Sequence, residues 1–250
     1  MIFTLNSLTL AALITWIFDF YLYVYTVYSG RIRTNKSRHQ MTNAITQTSC
    51  TGVILAGGLN SRFSGRNKAF IDIGAHRIID NIYTVFKSVF SEIILVTNQP
   101  MDYLDWDVTI VTDVVPVRSS LTGIYSGLFH ASHPFIFVSA CDTPFLKREV
   151  VETVVAAIAP GISVVVPETS KGTEQLCAVY AKTCLSLMEQ QLREERFQIK
   201  RMFGKVKVKK IPEHILRKND PELISFFNIN THEDYKKAKE WLVKNQGTGG

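Results

Sequence analysis

Residues 55–70 read Leu-Ala-Gly-Gly-Leu-Asn-Ser-Arg-Phe-Ser-Gly-Arg-Asn-Lys-Ala-Phe and follow an apolar run, Gly52-Val53-Ile54-Leu55. An apolar strand that opens into a glycine-rich turn carrying Arg62 and Lys68 has the parts for holding a nucleoside triphosphate. Glycine has no Cβ, so backbone N–H groups at Gly57 and Gly58 can approach phosphate oxygens closely. Arg62 and Lys68 add the positive charge that a neutral loop lacks. The spacing excludes a P-loop, which needs Gly-x-x-x-x-Gly-Lys-Ser/Thr, and the Gly-x-Gly-x-x-Gly dinucleotide fingerprint.

A second chemical feature is Ser139-Ala140-Cys141-Asp142-Thr143-Pro144. Here a buried-strand pattern ends in a carboxylate, and Pro144 stops further pairing. A carboxylate so placed suits Mg²⁺, which takes a few oxygen ligands and completes its shell with phosphate and water. Asp142 is therefore the expected metal ligand and, with Lys68 and Arg62, a candidate catalytic group. Asn98 and Asp113 also close apolar runs. Asp113 could meet ribose, base or metal. Ser119-Ser120-Leu121-Thr122-Gly123 leads into a helix, where Gly123 either lets a base approach or belongs to ordinary capping. Alternation along Phe227-Asn228-Ile229-Asn230-Thr231 sends Asn228 and Asn230 to one face.

Strands alternating with helices must position these residues. Apolar runs at 52–56, 92–97, 108–112, 135–140, 162–166 and 176–180 read as strands, and 205–211 as an exposed edge strand. Helical periodicity covers 77–90, 121–131, 147–158, 183–203 with a break near Phe197, and 231–244, where Thr231 is the N-cap and Asp234 lies three residues on. The pattern predicts an α/β protein, three-layer αβα and Rossmann-like, with a mostly parallel sheet. Leu55, Ala56, Gly57, Gly58, Asn98, Asp113 and Asp142 then cluster beyond the carboxyl ends of strands, where such sheets bind ligands.

The chain of 250 residues is 46% hydrophobic and 20% charged, a globular composition. Of the net charge of +6, half lies in residues 1–41, where Arg31, Arg33, Lys36 and Arg38 oppose Asp19. The mild remainder gives no ground for a nucleic-acid partner. Cys50, Cys141, Cys177 and Cys184 have neither zinc nor Cys-x-x-Cys spacing and read as reduced thiols of a cytoplasmic protein. Residues 8–28 are almost continuously apolar, and cations follow them. Two readings stay open for residues 1–40: an upstream extension preceding a true start at Met41, or an inner-membrane anchor. Residues 41–250 are expected to form one domain.

These motifs resemble the MobA-like nucleotidyltransferase family, over roughly residues 50–243. Leu55-Ala56-Gly57-Gly58, Arg62 and Lys68 match its opening, Asp113 and Asp142-Thr143-Pro144 its strand-end acids, and Asn228-Ile229-Asn230-Thr231 its late motif. The late motif places the chain nearest the molybdenum cofactor guanylyltransferase branch. The resemblance implies transfer of GMP from GTP to molybdopterin with Mg²⁺, and molybdoenzymes or their chaperones as recipients. A CTP-dependent or sugar-phosphate relative and a non-catalytic molybdopterin-binding module are the alternatives. Asn67 stands where the family usually has Asp, the loop reads Arg62-Phe63-Ser64-Gly65 rather than Arg-Met-Gly, Ser119-Ser120 replaces Gly-Pro, and Glu174-Gln175 replaces a His-Pro pair.

Overall fold

The computed structural model describes residues 50–57 and 67–246. The expectations for residues 1–40, Gly58 and Arg62 lie outside the described residues. β1 (Cys50–Leu55) is followed by a 3₁₀ turn at Lys68–Phe70, the two-residue hairpin strands β2 (Asp72–Ile73) and β3 (His76–Arg77), and helix α1 (Ile78–Val89). Next come β4 (Ile93–Val96), β5 (Thr109–Val111), α2 (Ser120–His130), β6 (Phe135–Ala140) and α3 (Arg148–Ala156). The remainder comprises β7 (Val164–Thr169), β8 (Gly172–Thr173), β9 (Cys177–Ala181), α4 (Leu185–Arg193), β10 (Val208–Pro212), α5 (Glu213–Leu216) and α6 (His232–Gln246).

The main sheet has the order β10-β7-β9-β6-β1-β4-β5. β6, β1, β4 and β5 are mutually parallel, as are β7 and β10, while β9 runs antiparallel to both its neighbours. The two-residue β8 pairs antiparallel with β7 beside this order, so the sheet is mostly parallel, as the strand–helix alternation predicts, with β8 and β9 reversed. Side chains alternate between its faces. Val53, Ile136 and Val138 join Leu121, Ile124, Leu128 and Met188 in a core under α2 and α4. Ile54 and Phe137 join Ile79, Phe86, Val150 and Val154 in a second core under α1 and α3. Helices on both faces make the three layers. α2 lies very close to β1: a Cβ on Gly127 would fall 2.5 Å from Val53 Cγ1, so only glycine fits there.

The expected helix over 183–203 is shorter in the structure. α4 stops at Arg193, Glu195 has φ 53°, and a 3₁₀ turn occupies Ile199–Gly204. The buried Gln191 explains the stop. Its side-chain amide donates to the carbonyls of Arg196 and Gln198, and its backbone carbonyl accepts from Arg196 N at 2.8 Å, so the chain folds back on the helix end. Among the described residues, no helix is long and apolar enough to cross a membrane.

Candidate active site

Four parallel strands bring their carboxyl ends side by side in the order β5, β4, β1, β6, and the residues just beyond them are Asp113, Asn98, Gly57 and Asp142. Backbone bonds hold the ends level. Ala56 N donates to Val96 O at 2.8 Å, Thr97 N to Val111 O at 2.9 Å and Cys141 N to Leu55 O at 3.0 Å. A cleft of about 280 Å³ opens there, with Gly57, Lys68, Asp113, Arg118, Gly123 and Asp142 in its wall.

Lys68 opens the 3₁₀ turn, which Asn67 fixes. Asn67 Oδ1 caps Ala69 N at 3.1 Å, and its Nδ2 donates to the hydroxyl of the buried Tyr103 at 2.8 Å. Asn67 thus uses both ends of its amide, and a carboxylate there could only accept. The Lys68 ammonium donates to Asn230 Oδ1 at 2.9 Å across 162 residues of sequence. Asn230 is placed by its neighbour, since buried Ile229 donates its N–H to the Asp142 carbonyl at 2.9 Å. A reciprocal box then starts α6. Asp234 N donates to Thr231 Oγ1 at 3.1 Å and Thr231 N to Asp234 Oδ2 at 2.8 Å, as the Thr-x-x-Asp spacing predicts.

Burial pushes the Asp142 carboxyl above its usual range, and the Lys68 charge only partly offsets this. Burial also raises Asp113, against the Asn98 amide, which donates to Asp113 Oδ2 at 2.7 Å, and against the charge of Arg118. Two carboxylates face one cleft with few donors of their own. The turn below Asp142 is stapled by Thr143 Oγ1, which donates to Ala140 O at 2.8 Å.

Gly123 lies in the first turn of α2, where Ser119 caps Thr122 N at 3.1 Å. Gly123 thus sits in a capped first turn and also lines the cleft. A Cβ there would come 3.1 Å from Leu55 Cδ2, so its small size also serves packing of α2 on β1. Leu55 itself lines the cleft, while Ala56 is buried behind it. Asn98 and Asn230 reach the cleft through their bonds to Asp113 and Lys68. Asn228 and Asn230 are both exposed, on either side of the buried Ile229, as the alternation predicts, and neither is among the residues that line the cleft.

Sequence reasoning missed Arg118, Leu176 and the place of Cys141, all in the cleft wall. Arg118 had one available signal, a cation immediately before a helix cap; Leu176 had none. Cys141 is only partly buried. Its thiol is pushed up to about 12 by burial and by Asp142, so it stays uncharged beside the carboxylate.

A mostly parallel sheet with a glycine, a lysine and a strand-end aspartate around one cleft defines a nucleotide-binding α/β protein equipped for phosphoryl chemistry. The chain belongs to the MobA-like NTP transferase family, whose domain matches residues 52–209. It is 47% identical to the molybdenum cofactor guanylyltransferase of Desulfosudis oleivorans over 76% of this chain and 94% of that one. It is 34% identical to a probable molybdenum cofactor guanylyltransferase of Natranaerobius thermophilus, over 78% and 98% of the two chains. Among solved structures it is similar to molybdopterin-guanine dinucleotide biosynthesis protein A of Archaeoglobus fulgidus, with a TM-score of 0.69 and 28% identity, covering 78% of this chain and 99% of that one.

Proposed function

We propose that this chain transfers GMP from GTP to the terminal phosphate of molybdopterin, with or without molybdenum, releasing pyrophosphate and forming the guanine dinucleotide cofactor. One observation carries the reading: Gly57, Lys68 and Asp142 line one cleft. The names of the relatives support the choice of GTP and pterin.

The attacking pterin phosphate is already an anion, so no general base is needed, and the work is positioning and charge neutralisation. Lys68, steered by Asn230, sits on phosphate oxygens as charge shifts to the leaving group. Gly57 offers its backbone to the triphosphate. Arg62, assigned on its spacing alone, serves the leaving pyrophosphate. Asn98 holds Asp113 toward the ribose or base.

The donor set fits Mg²⁺. Among the described residues, no group of three or more His, Cys, Asp or Glu could hold a metal by itself. Mg²⁺ does not require one, because it takes one or two carboxylates and fills its shell with phosphate and water. Asp142 would hold it, and a buried carboxylate opposed by one lysine is suited to gaining a cation. When bound, Mg²⁺ supplies charge neutralisation at the phosphate.

We read residues 41–250 as the catalytic domain of a cytoplasmic protein that passes its product to molybdoenzymes or their chaperones. The test is pyrophosphate release by the full chain with GTP, CTP, ATP or UTP, each with and without molybdopterin and Mg²⁺. Release with GTP only when pterin is present is the expected outcome. A preference for CTP would move the chain to cytidylyl transfer, and silence from folded protein would overturn the reading.

A further inference from the structure

Asp142 does not stand alone at the end of β6. The chain leaving it runs antiparallel to the chain entering α6, and three ties close the pair. Ile229 N donates to Asp142 O at 2.9 Å. The rings of Phe145 and Phe227 lie 6.1 Å apart. Lys147 N donates to Ser225 Oγ at 3.0 Å.

Asp220 closes the far end. It is 0% exposed, and its Oδ2 accepts from Ser225 N at 2.8 Å. Its Oδ1 has the Lys147 ammonium 3.0 Å away, an ionic contact without hydrogen-bond geometry. Asp220 O also accepts from Leu223 N at 2.9 Å, within a turn where Leu223 takes φ 55°.

A buried carboxylate facing a partly exposed lysine is a weak source of stability, because desolvation offsets the attraction. It is better suited to fixing register, since any slip leaves the charge buried and unpaired. Register matters at the other end of the clasp. Asn230 is exposed and bonded to Lys68, while its neighbour Ile229 is buried. A slip of one residue would exchange the amide for an apolar side chain.

We propose that Asp220 is a positioning residue: through Ser225 and Lys147 it sets the register at which Asn230 meets Lys68 beside Asp142. Its kinetic consequence rests on the function proposed above, while the clasp itself does not.

The experiment compares the full chain with Asp220→Asn, Asn230→Ala and the double variant. Amide exchange at Ile229 and at Val138, in the middle of β6, is read beside turnover. Asp220→Asn is expected to speed exchange at Ile229 roughly tenfold and to leave Val138 within about twofold. It is expected to lower kcat roughly tenfold with KM for GTP within about twofold. In the Asn230→Ala background it should change kcat by less than about twofold, because both act through one contact. Multiplying kcat losses, or equal acceleration at both amides, would mark a merely structural role and overturn the proposal. If Asp220→Asn does not fold, Lys147→Met breaks the same ion pair from its exposed end and carries the same readings. If no nucleotide yields pyrophosphate in the unaltered chain, the functional reading fails, and the exchange ratio still decides the clasp.

Discussion

The two ends of the central strands carry polar clusters of opposite character. At the amino ends, Glu92 accepts from Ser132 N at 3.0 Å, from Ser132 Oγ at 2.6 Å and from the buried Thr51 hydroxyl. Since Thr51 gives its proton to Glu92, His133 Nδ1, 2.9 Å from the same oxygen, must donate to it. Burial works against ionising Glu92, but the Ser132 and Thr51 bonds and the charge of His133 hold it below the usual carboxylate range. At the carboxyl ends, burial raises Asp142 and Asp113, and the chain offers each little in return. A carboxylate saturated by its own chain holds the fold together. One left short of donors is kept for a ligand that supplies the missing charge.

The largest expected effect breaks the cleft and spares the opposite end. Lys68→Ala and Asp142→Asn should each lower kcat about 10²–10³-fold, the usual cost of losing one preorganised contact to a developing charge. Circular dichroism and the melting transition should show a folded chain in both. Wild-type turnover in either variant would remove its assigned role. Glu92→Gln, in contrast, should keep kcat within about twofold, because it lies at the far end of the strands.

Asp113→Ala tests the nucleotide side of the cleft. The Asn98 amide loses its 2.7 Å partner and, on the function proposed above, the nucleotide loses a contact. KM for GTP should rise roughly tenfold with a smaller change in kcat, the pattern of lost uniform binding. A fall in kcat alone would assign Asp113 to the reacting phosphates.

The cleft end was more legible than the rest because strand ends announce themselves. An apolar run that stops at Gly57, Asn98, Asp113 or Asp142 shows both its element and its polar exit. The antiparallel direction of β9 was not legible. All five of its residues are buried, so no alternation distinguishes its direction. The β2–β3 hairpin has strands of two residues, too short for any period. The Lys68–Asn230 bond joins residues 162 apart, and pattern reading along the chain cannot supply such a contact. Asn67 departs from the family's usual residue at a motif position. Its bond to Tyr103 shows an amide used at both ends, which only the fold could reveal.

Glu92→Gln sharpens the comparison through stability. The depressed carboxyl contributes stability above its unfolded range and loses it as pH falls through the lower folded value. The variant should therefore be about 1–2 kcal/mol less stable near neutral pH, the scale of weakened hydrogen bonds to a charged group. Denaturant midpoints for the two proteins should converge in acid, where Glu92 is protonated folded or unfolded. A gap that persists in acid would mean that the substituted amide disturbs packing rather than charge.

Asp142→Asn should move stability the other way. A raised folded pKa means that ionised Asp142 costs the empty protein stability at neutral pH, while below the unfolded pKa the aspartate is protonated in both states and the cost vanishes. The inactive variant should then be more stable than the parent near pH 7, by on the order of 1 kcal/mol, as substitutions that relieve functional strain commonly are. The gain should fade as pH falls into the ordinary carboxylate range. Adding Mg²⁺ with nucleotide should stabilise the parent more than the variant, because binding to the folded state is linked to its stability. A variant less stable at neutral pH would show that Asp142 is satisfied by its own chain, and the contrast between the two ends of the sheet would not hold.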